Sequence, residues 1–317
     1  MEHSMTLHHE STLFTETIRA AAQHLGIKVE FIEKDYWITF VLQNLSKSKF
    51  RDCSVFKGGT SLSKGHQLID RFSEDVDLAI IDEGVKSGNE IKILIRNLEK
   101  EITSSLKERP TPGVTSKGSK FRKSVFEYPS LEKSNNINTL LLEINAFANP
   151  FPYQKRSISS MVHDFLSDSG YRNYIERYNL QSFEVNVLDK EQTLLEKLVS
   201  LIRFSYDSDY VVSISQKIRH FYDIYFLRKN PTCSAFIESE LFSSRFEEIL
   251  KHDRTIFDGP LNWQHKSLHE SPLINDFDNL WSKLKRAYQT ELSAYAYRPI
   301  PDEAEVSDCF KKILARL

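Results

Sequence analysis

Two short stretches hold the residues best suited to chemistry: Lys57-Gly58-Gly59-Thr60-Ser61 and, fourteen residues after Ser61, Asp75-Val76-Asp77. In an extended strand, residues i and i+2 face the same side. Asp75 and Asp77 therefore project together, while Val76 and Leu78 enter a core. Two carboxylates held this close repel unless a cation sits between them. Mg2+ (or Mn2+) meets that need, because it binds one or two protein carboxylates and keeps places for substrate phosphate oxygens. A strand, a Gly58-Gly59 turn and a helix add backbone N–H groups, with the Thr60 and Ser61 hydroxyls, for an anionic phosphate. Together these parts suit metal-assisted phosphoryl or nucleotidyl transfer. Each alone says less, and a solvent-facing strand edge with two acids after a glycine turn would produce the same pattern.

Several elements must hold these residues. Val55-Phe56 reads as the end of a short strand, residues 61–69 as a helix, and DVDLAII from Asp75 as a buried strand. Before them, residues 11–46 show helical periodicity with a break near Gly26. Residues 89–107 form an amphipathic helix, and 108–124, rich in Pro, Gly, Ser and Lys, a loop or hairpin connection. Strands are predicted at 124–128, 139–148 and 182–188. From Lys190 onward the period is helical almost throughout, as in KEQTLLEKLVSLIRFSY and VVSISQKIRHFYDIYFLR. We therefore place a domain boundary near residue 189, between a mixed core over 1–189 and a mainly helical domain over 190–317.

Composition bounds the rest. The chain has 317 residues, 42 Lys+Arg against 44 Asp+Glu, and a net charge of -2. That length suits two domains at roughly 150 residues each. The near-zero charge removes bulk electrostatics as a reason to expect nucleic acid, although a local basic patch averages away in the total. Cys53, Cys233 and Cys309 lie far apart, so neither a disulfide framework nor a CxxC metal site is available, and a reducing cytoplasm is the expected location. The start MEHSMTLHHESTLF lacks an apolar signal core, and no stretch approaches the 18 apolar residues of a membrane span, so no membrane association is expected. His3, His8 and His9 are read as uninvolved residues of a frayed terminus. His66, His163, His220, His252, His265 and His269 show no metal spacing and are read as ordinary.

The stretch FKGGTSLSKGHQLIDRFSEDVDLAI resembles the first signature of the AbiEii/AbiGii-type nucleotidyltransferase toxins, a branch of the polymerase-β-like superfamily. Three further stretches agree: Glu33-Lys34-Asp35-Tyr36-Trp37 with Val41-Leu42, Glu196-Lys197-Leu198 with Arg203, and Arg219-His220-Phe221-Tyr222-Asp223-Ile224-Tyr225. The resemblance runs from about residue 30 to 230. It implies an α+β fold, with a polymerase-β-like nucleotidyltransferase core (a small mixed sheet with flanking helices) followed by a helical C-terminal domain that completes the active site. It also implies an NTP co-substrate and Asp75 and Asp77 as metal ligands. Gly58, Gly59 and Thr60 would hold the triphosphate, with Ser73 lining the same pocket. Lys197 would neutralise the phosphates, and Asp223 would complete the site. The implied activity is transfer of a nucleoside monophosphate to an RNA acceptor, the tRNA 3′ end, with pyrophosphate release. Translation would be blocked and growth arrested as phage defence (abortive infection), under restraint by a cognate antitoxin.

Beside the resemblance, each of these residues has a plainer reading. Lys197 lies among Leu194, Leu195, Leu198 and Leu201, and either meets a phosphate or snorkels out and pairs with Glu196. Asp223 lies in an aromatic run and is either functional or paired with Arg219, four residues earlier. Enzymes of this superfamily usually bring a third carboxylate from a neighbouring strand. Glu143 in LLLEINAF is the candidate general base or metal ligand, with a partnership to Arg71 as the alternative. Lys34 and Asp35 read more readily as an ion-pair network than as part of a substrate groove. The basic stretch Lys117, Lys120, Arg122 and Lys123, with Phe121 among them, is either a flexible RNA contact or a solvated loop. Two other functions share parts of this pattern: a small-molecule, aminoglycoside-like nucleotidyltransferase, and a catalytically silent binding module. The first would lack the EKDYW and HFYDIYF stretches, and intact Asp75, Asp77 and Lys197 weigh against the second.

Overall fold

Alternation along the strands decides which face of the sheet is packed and which carries charge. The computed structural model describes residues 5–82, 87–129, 131 and 138–317. Its strands are β1 (Ser54–Lys57), β2 (Asp75–Ile80), β3 (Lys107–Glu108), β4 (Ser116–Lys117), β5 (Phe121–Glu127), β6 (Thr139–Asn145), β7 (Tyr153–Ile158) and β8 (Phe183–Leu188). They form one mixed sheet in the order β3-β5-β6-β2-β1-β8-β7, with β4 paired to β5. The pairs β2–β6 and β1–β8 are parallel, and the other pairs are antiparallel.

One face of this sheet is hydrocarbon. Phe56, Val76, Leu78, Ile80, Leu140, Leu142, Ile144, Val185 and Val187 are all buried in one cluster with side chains of the helices. The helices of this unit are α1 (Ser11–Leu25), α2 (Val29–Lys47), α3 (Gly58–Lys64), α4 (Gly88–Ile102), α5 (Met161–Asp168) and α6 (Arg172–Arg177). Gly26, in the left-handed region at φ 67°, ends α1 and lets α2 begin three residues later. A capping box between Ser87 and Glu90 starts α4, whose Ile91, Ile95, Leu98 and Ile102 recur at helical spacing and enter the core.

The chain divides into two compact units, one of residues up to His66 with Phe72–Leu188, the other of Gln67–Arg71 with Asp189–Leu317. The second unit holds α7 (Lys190–Phe204), α8 (Tyr210–Ser215), α9 (Arg219–Lys229), α10 (Pro231–Glu238), α11 (Leu241–Ile256), α12 (Pro272–Asn275), α13 (Phe277–Tyr295) and α14 (Glu303–Leu314). Its centre is aromatic: the Phe221 ring lies 4.7 Å from that of Phe310 and 5.2 Å from that of Trp281. The segment Gln67–Arg71 joins this unit through backbone contacts, including the Tyr297 N–H donated to the Asp70 carbonyl at 3.0 Å.

Three sequence expectations shift here. The helix after the glycine pair starts at Gly58 and stops at Lys64 instead of spanning 61–69. Gly65 follows it so close to Val187 that a Cβ there would lie 2.9 Å from a Val187 methyl, and Gln67 takes φ 53°. Helix α4 ends at Ile102, short of residue 107, because Lys107–Glu108 is taken by β3. Strand β7 was not legible, since YQKRSI is polar at alternate and adjacent positions. It lies at the sheet edge, where polar residues are tolerated. Among the described residues no helix is long and apolar enough to cross a membrane.

Candidate active site

The second face of the sheet carries the charge. Asp75 and Asp77 are half-buried, alternating with buried Val76 and Leu78. In the parallel pairing of β2 with β6, Asp77 stands opposite Glu143. In the antiparallel pairing of β1 with β2, Asp77 stands opposite Lys57. On the other side of β6, Glu143 stands opposite Lys123 of β5. Directly opposed residues share a face and lie on strands about 4.8 Å apart. A transverse row therefore runs Lys123, Glu143, Asp77, Lys57 across four strands, with Asp75 two residues before Asp77. Two acids occupy its middle and a lysine stands at each end.

Glu143 is already engaged. Its carboxylate accepts an ion pair from Lys123 Nζ at 2.5 Å. That replaces the alternative of a partnership with Arg71, whose guanidinium is used elsewhere. Although the register sets Glu143 beside Asp77, no three His, Cys, Asp or Glu side chains converge as a ready-made metal cluster among the described residues.

The glycine pair is shaped around Asp77. Gly58 has φ 78°, and a Cβ built on it would fall 2.1 Å from Asp77 Oδ2. Only a residue without a side chain lets the backbone approach that carboxylate. The hydroxyls expected to help with phosphate turn inward instead. Thr60 Oγ1 donates to the Asp75 carbonyl at 2.5 Å, Ser61 Oγ donates to the Gly58 carbonyl at 2.9 Å, and both residues are buried. They brace the turn against β2, which leaves the Gly58-Gly59 backbone as the part suited to meet an anion. Ser73 is half-buried two residues ahead of Asp75.

Within the helical unit, Lys197 of α7 and Asp223 of α9 meet at 2.8 Å, both buried. Arg71 closes a fork on the same acid, its Nε on Oδ1 at 2.7 Å and its Nη2 on Oδ2 at 2.6 Å. Burial alone would push the Asp223 carboxyl up, but the Arg71 and Lys197 charges prevail and hold it well below the usual carboxylate range. The Arg219 pairing is thereby corrected: Arg219 lies over the Tyr295 ring at 5.2 Å. The pairing of Lys197 with Glu196 gives way likewise, since the Lys197 ammonium is turned to Asp223. His220, read as ordinary, is half-buried beside this cluster, and its Nδ1 is closed off from solvent with no hydrogen-bond partner. Burial, then the Lys197 charge, lowers its pKa well below the ordinary value and keeps the ring neutral. Arg71 was missed as a site residue. Its signal in the sequence was only its place, four residues before Asp75.

The remaining candidates sort on contacts. The basic stretch is not a flexible loop: Lys117 lies on β4, Arg122 and Lys123 on β5, and three of its four cations pair with acids, Lys117 with Glu108, Arg122 with Glu99 and Lys123 with Glu143. Lys120 remains exposed, and Phe121 packs near Phe147. Asp35 pairs with buried Lys64 and accepts the Met161 N–H at 2.8 Å, while Lys34 reaches Glu74 at 3.0 Å, a structural network as read from the sequence. His8 is not part of a frayed end. Its Nδ1 meets the Tyr36 hydroxyl at 2.8 Å and its ring packs on Trp37 and Phe40, beside fully buried Leu7. His3 lies outside the described residues.

A mixed sheet that presents a same-face pair of aspartates beside a glycine turn, followed by a helical part, defines a nucleotidyltransferase-like fold. The family described as nucleotidyl transferase AbiEii toxin, type IV toxin–antitoxin system, matches residues 41–309, and the chain belongs to it. Membership implies a nucleoside triphosphate substrate and an antitoxin partner. Among solved structures the chain is similar to MenT4, a nucleotidyltransferase toxin of Mycobacterium tuberculosis H37Rv. The TM-score is 0.50 at 15% identity, covering 94% of this chain and 98% of that one. An antigenic nucleotidyltransferase-like protein from Paracoccidioides brasiliensis matches at a TM-score of 0.33 and 14% identity, over 69% of this chain and 89% of that one. No curated protein matches the sequence significantly.

Proposed function

We propose that this nucleotidyltransferase toxin transfers a nucleoside monophosphate from an NTP to an RNA hydroxyl, with the tRNA 3′ end as the acceptor, and thereby blocks translation. The observation that carries this reading is the pair Asp75 and Asp77 on one face of β2, with the Gly58 backbone pressed against Asp77. Two half-buried carboxylates with a side-chain-free turn beside them fit Mg2+ or Mn2+, which takes one or two acids and completes its shell with phosphate and water. When bound there, the cation would supply Lewis-acid stabilisation of charge on the transferring phosphoryl group.

The chain's own residues do the rest. Asp75 and Asp77 would hold the cation on their shared face, and the Gly58-Gly59 N–H groups receive phosphate oxygens. Lys197, paired with Asp223, offsets phosphate charge, and Ser73 lines the nucleotide. Glu143 accepts the proton of the acceptor hydroxyl. The acceptor oxygen bonds to the α-phosphorus as the bridge to the β-phosphate breaks, and pyrophosphate leaves with the bonding electrons.

Incubation of the purified protein with each α-labelled NTP, Mg2+ and total RNA tests this directly. Label should pass to a tRNA-sized species from a preferred NTP, and Asp75→Asn or Asp77→Asn should abolish both transfer and growth inhibition with folding retained. Full toxicity in either variant would sink the mechanism, and label on a small molecule with RNA untouched would overturn the acceptor.

A further inference from the structure

The far end of the charged row gives Glu143 a counter-ion that no metal site needs. Asp77 and Glu143 stand directly opposite each other on adjacent strands, an arrangement that costs stability between like charges. Lys123 stands opposite Glu143 from the other side and takes its carboxylate in an ion pair at 2.5 Å. Both side chains are partly shielded, at 30% exposure for Lys123 and 25% for Glu143. Despite its register beside Asp77, Glu143 is held toward β5 and does not join the aspartates in a three-acid cluster. The backbone thus sets the third acid in the row, and the lysine decides where its charge is spent.

We propose that Lys123 is a positioning residue that competes with a divalent cation for Glu143. This inference rests on the reading of Asp75 and Asp77 as a cation site. Without a cation, Lys123 neutralises Glu143 and relieves its repulsion with Asp77. A cation between the aspartates is attracted by Glu143 and repelled by the Lys123 ammonium one strand further on. Recruitment of Glu143 therefore costs the ion pair, and Lys123 sets the cation affinity of the nucleotide-free protein.

Mn2+ alone, titrated calorimetrically into the full chain without nucleotide, separates the possibilities. Lys123→Met should tighten Mn2+ binding by on the order of tenfold, from release of the Glu143 carboxylate together with loss of a like charge about two strand spacings away. Lys123→Arg should keep the affinity of the unaltered protein. In a Glu143→Gln background the effect of Lys123→Met should shrink, because only the direct repulsion between the ammonium and the cation remains. Thermal melts confirm that each variant folds, and Lys123→Gln replaces Lys123→Met if the latter does not. Binding that depends on Asp75 and Asp77 but ignores Lys123, or a Lys123 effect undiminished without Glu143, overturns this inference alone. No Mn2+ binding by the unaltered protein overturns both it and the cation site.

Discussion

Gly58 shows how much a single position can owe to its neighbour. A side chain there meets two penalties, the positive φ and a clash with the Asp77 carboxylate 2.1 Å from the Cβ position. Gly58→Ala should therefore lower stability by about 1–2 kcal/mol, the usual cost of the left-handed region for a residue with a Cβ. Its effect on nucleotide transfer should be far larger, because the clash displaces Asp77. Urea unfolding and label transfer measure the two separately. Gly88→Ala, in the first turn of α4 with open space around its Cβ position, is the matched control and should change neither by much.

At the scale of elements, α7 and α9 are joined by a buried charge cluster with two cations on one acid. Removing Asp223 would take from Lys197 its counter-ion and from Arg71 the carboxylate on which its fork closes. Asp223→Ala should therefore destabilise the helical unit by about 3–5 kcal/mol, as for other broken buried pairs. Arg219→Ala, which loses only a cation–π contact with Tyr295, should cost about 0.5–1 kcal/mol. Equal losses in chemical denaturation would restore the Arg219–Asp223 pairing that the sequence allowed. The two alternatives were indistinguishable before folding because Arg219 is the correct helical spacing from Asp223. Arg71, distant in sequence from Asp223, offered no local signal.

At the scale of the whole molecule, two groups should make stability vary with pH below neutrality, in opposite directions. Burial, then the neighbouring Asp189 carboxyl, pushes Glu191 up to about 7. The folded chain then binds a proton that the unfolded chain, near the ordinary value, has released, so stability falls as pH rises from about 4.5 to 7. Glu191→Gln should raise the melting temperature at pH 8 and leave it nearly unchanged at pH 4. In the opposite direction His8, half-buried against Tyr36 and close to His9, is lowered to about 4. The unfolded chain takes up that proton first, so stability is lost as pH falls from about 6.5 to 4. His8→Phe should flatten that limb of a melting-temperature profile, provided its ring keeps the packing on Trp37 and Phe40.

The amino-acid sequence alone determined the parts that depend on near neighbours in the chain. The i, i+2 spacing of Asp75 and Asp77 put both acids on one face, and helical periodicity marked the change of character after Leu188. Glycines in series announced the turn, and the four stretches in order announced the family. Only the tertiary structure decided which charges meet. It set Glu143 beside Asp77 and gave it to Lys123, gave Asp223 to Arg71 and Lys197, and turned the Thr60 and Ser61 hydroxyls inward. Strand register and helix packing bring together residues far apart in sequence, and a charge in a folded chain is claimed by whichever opposite charge the backbone brings within reach. The basic stretch at residues 117–123 is largely spent on Glu108, Glu99 and Glu143 within its own sheet and on α4, so little of it is left to show as an electrostatic surface.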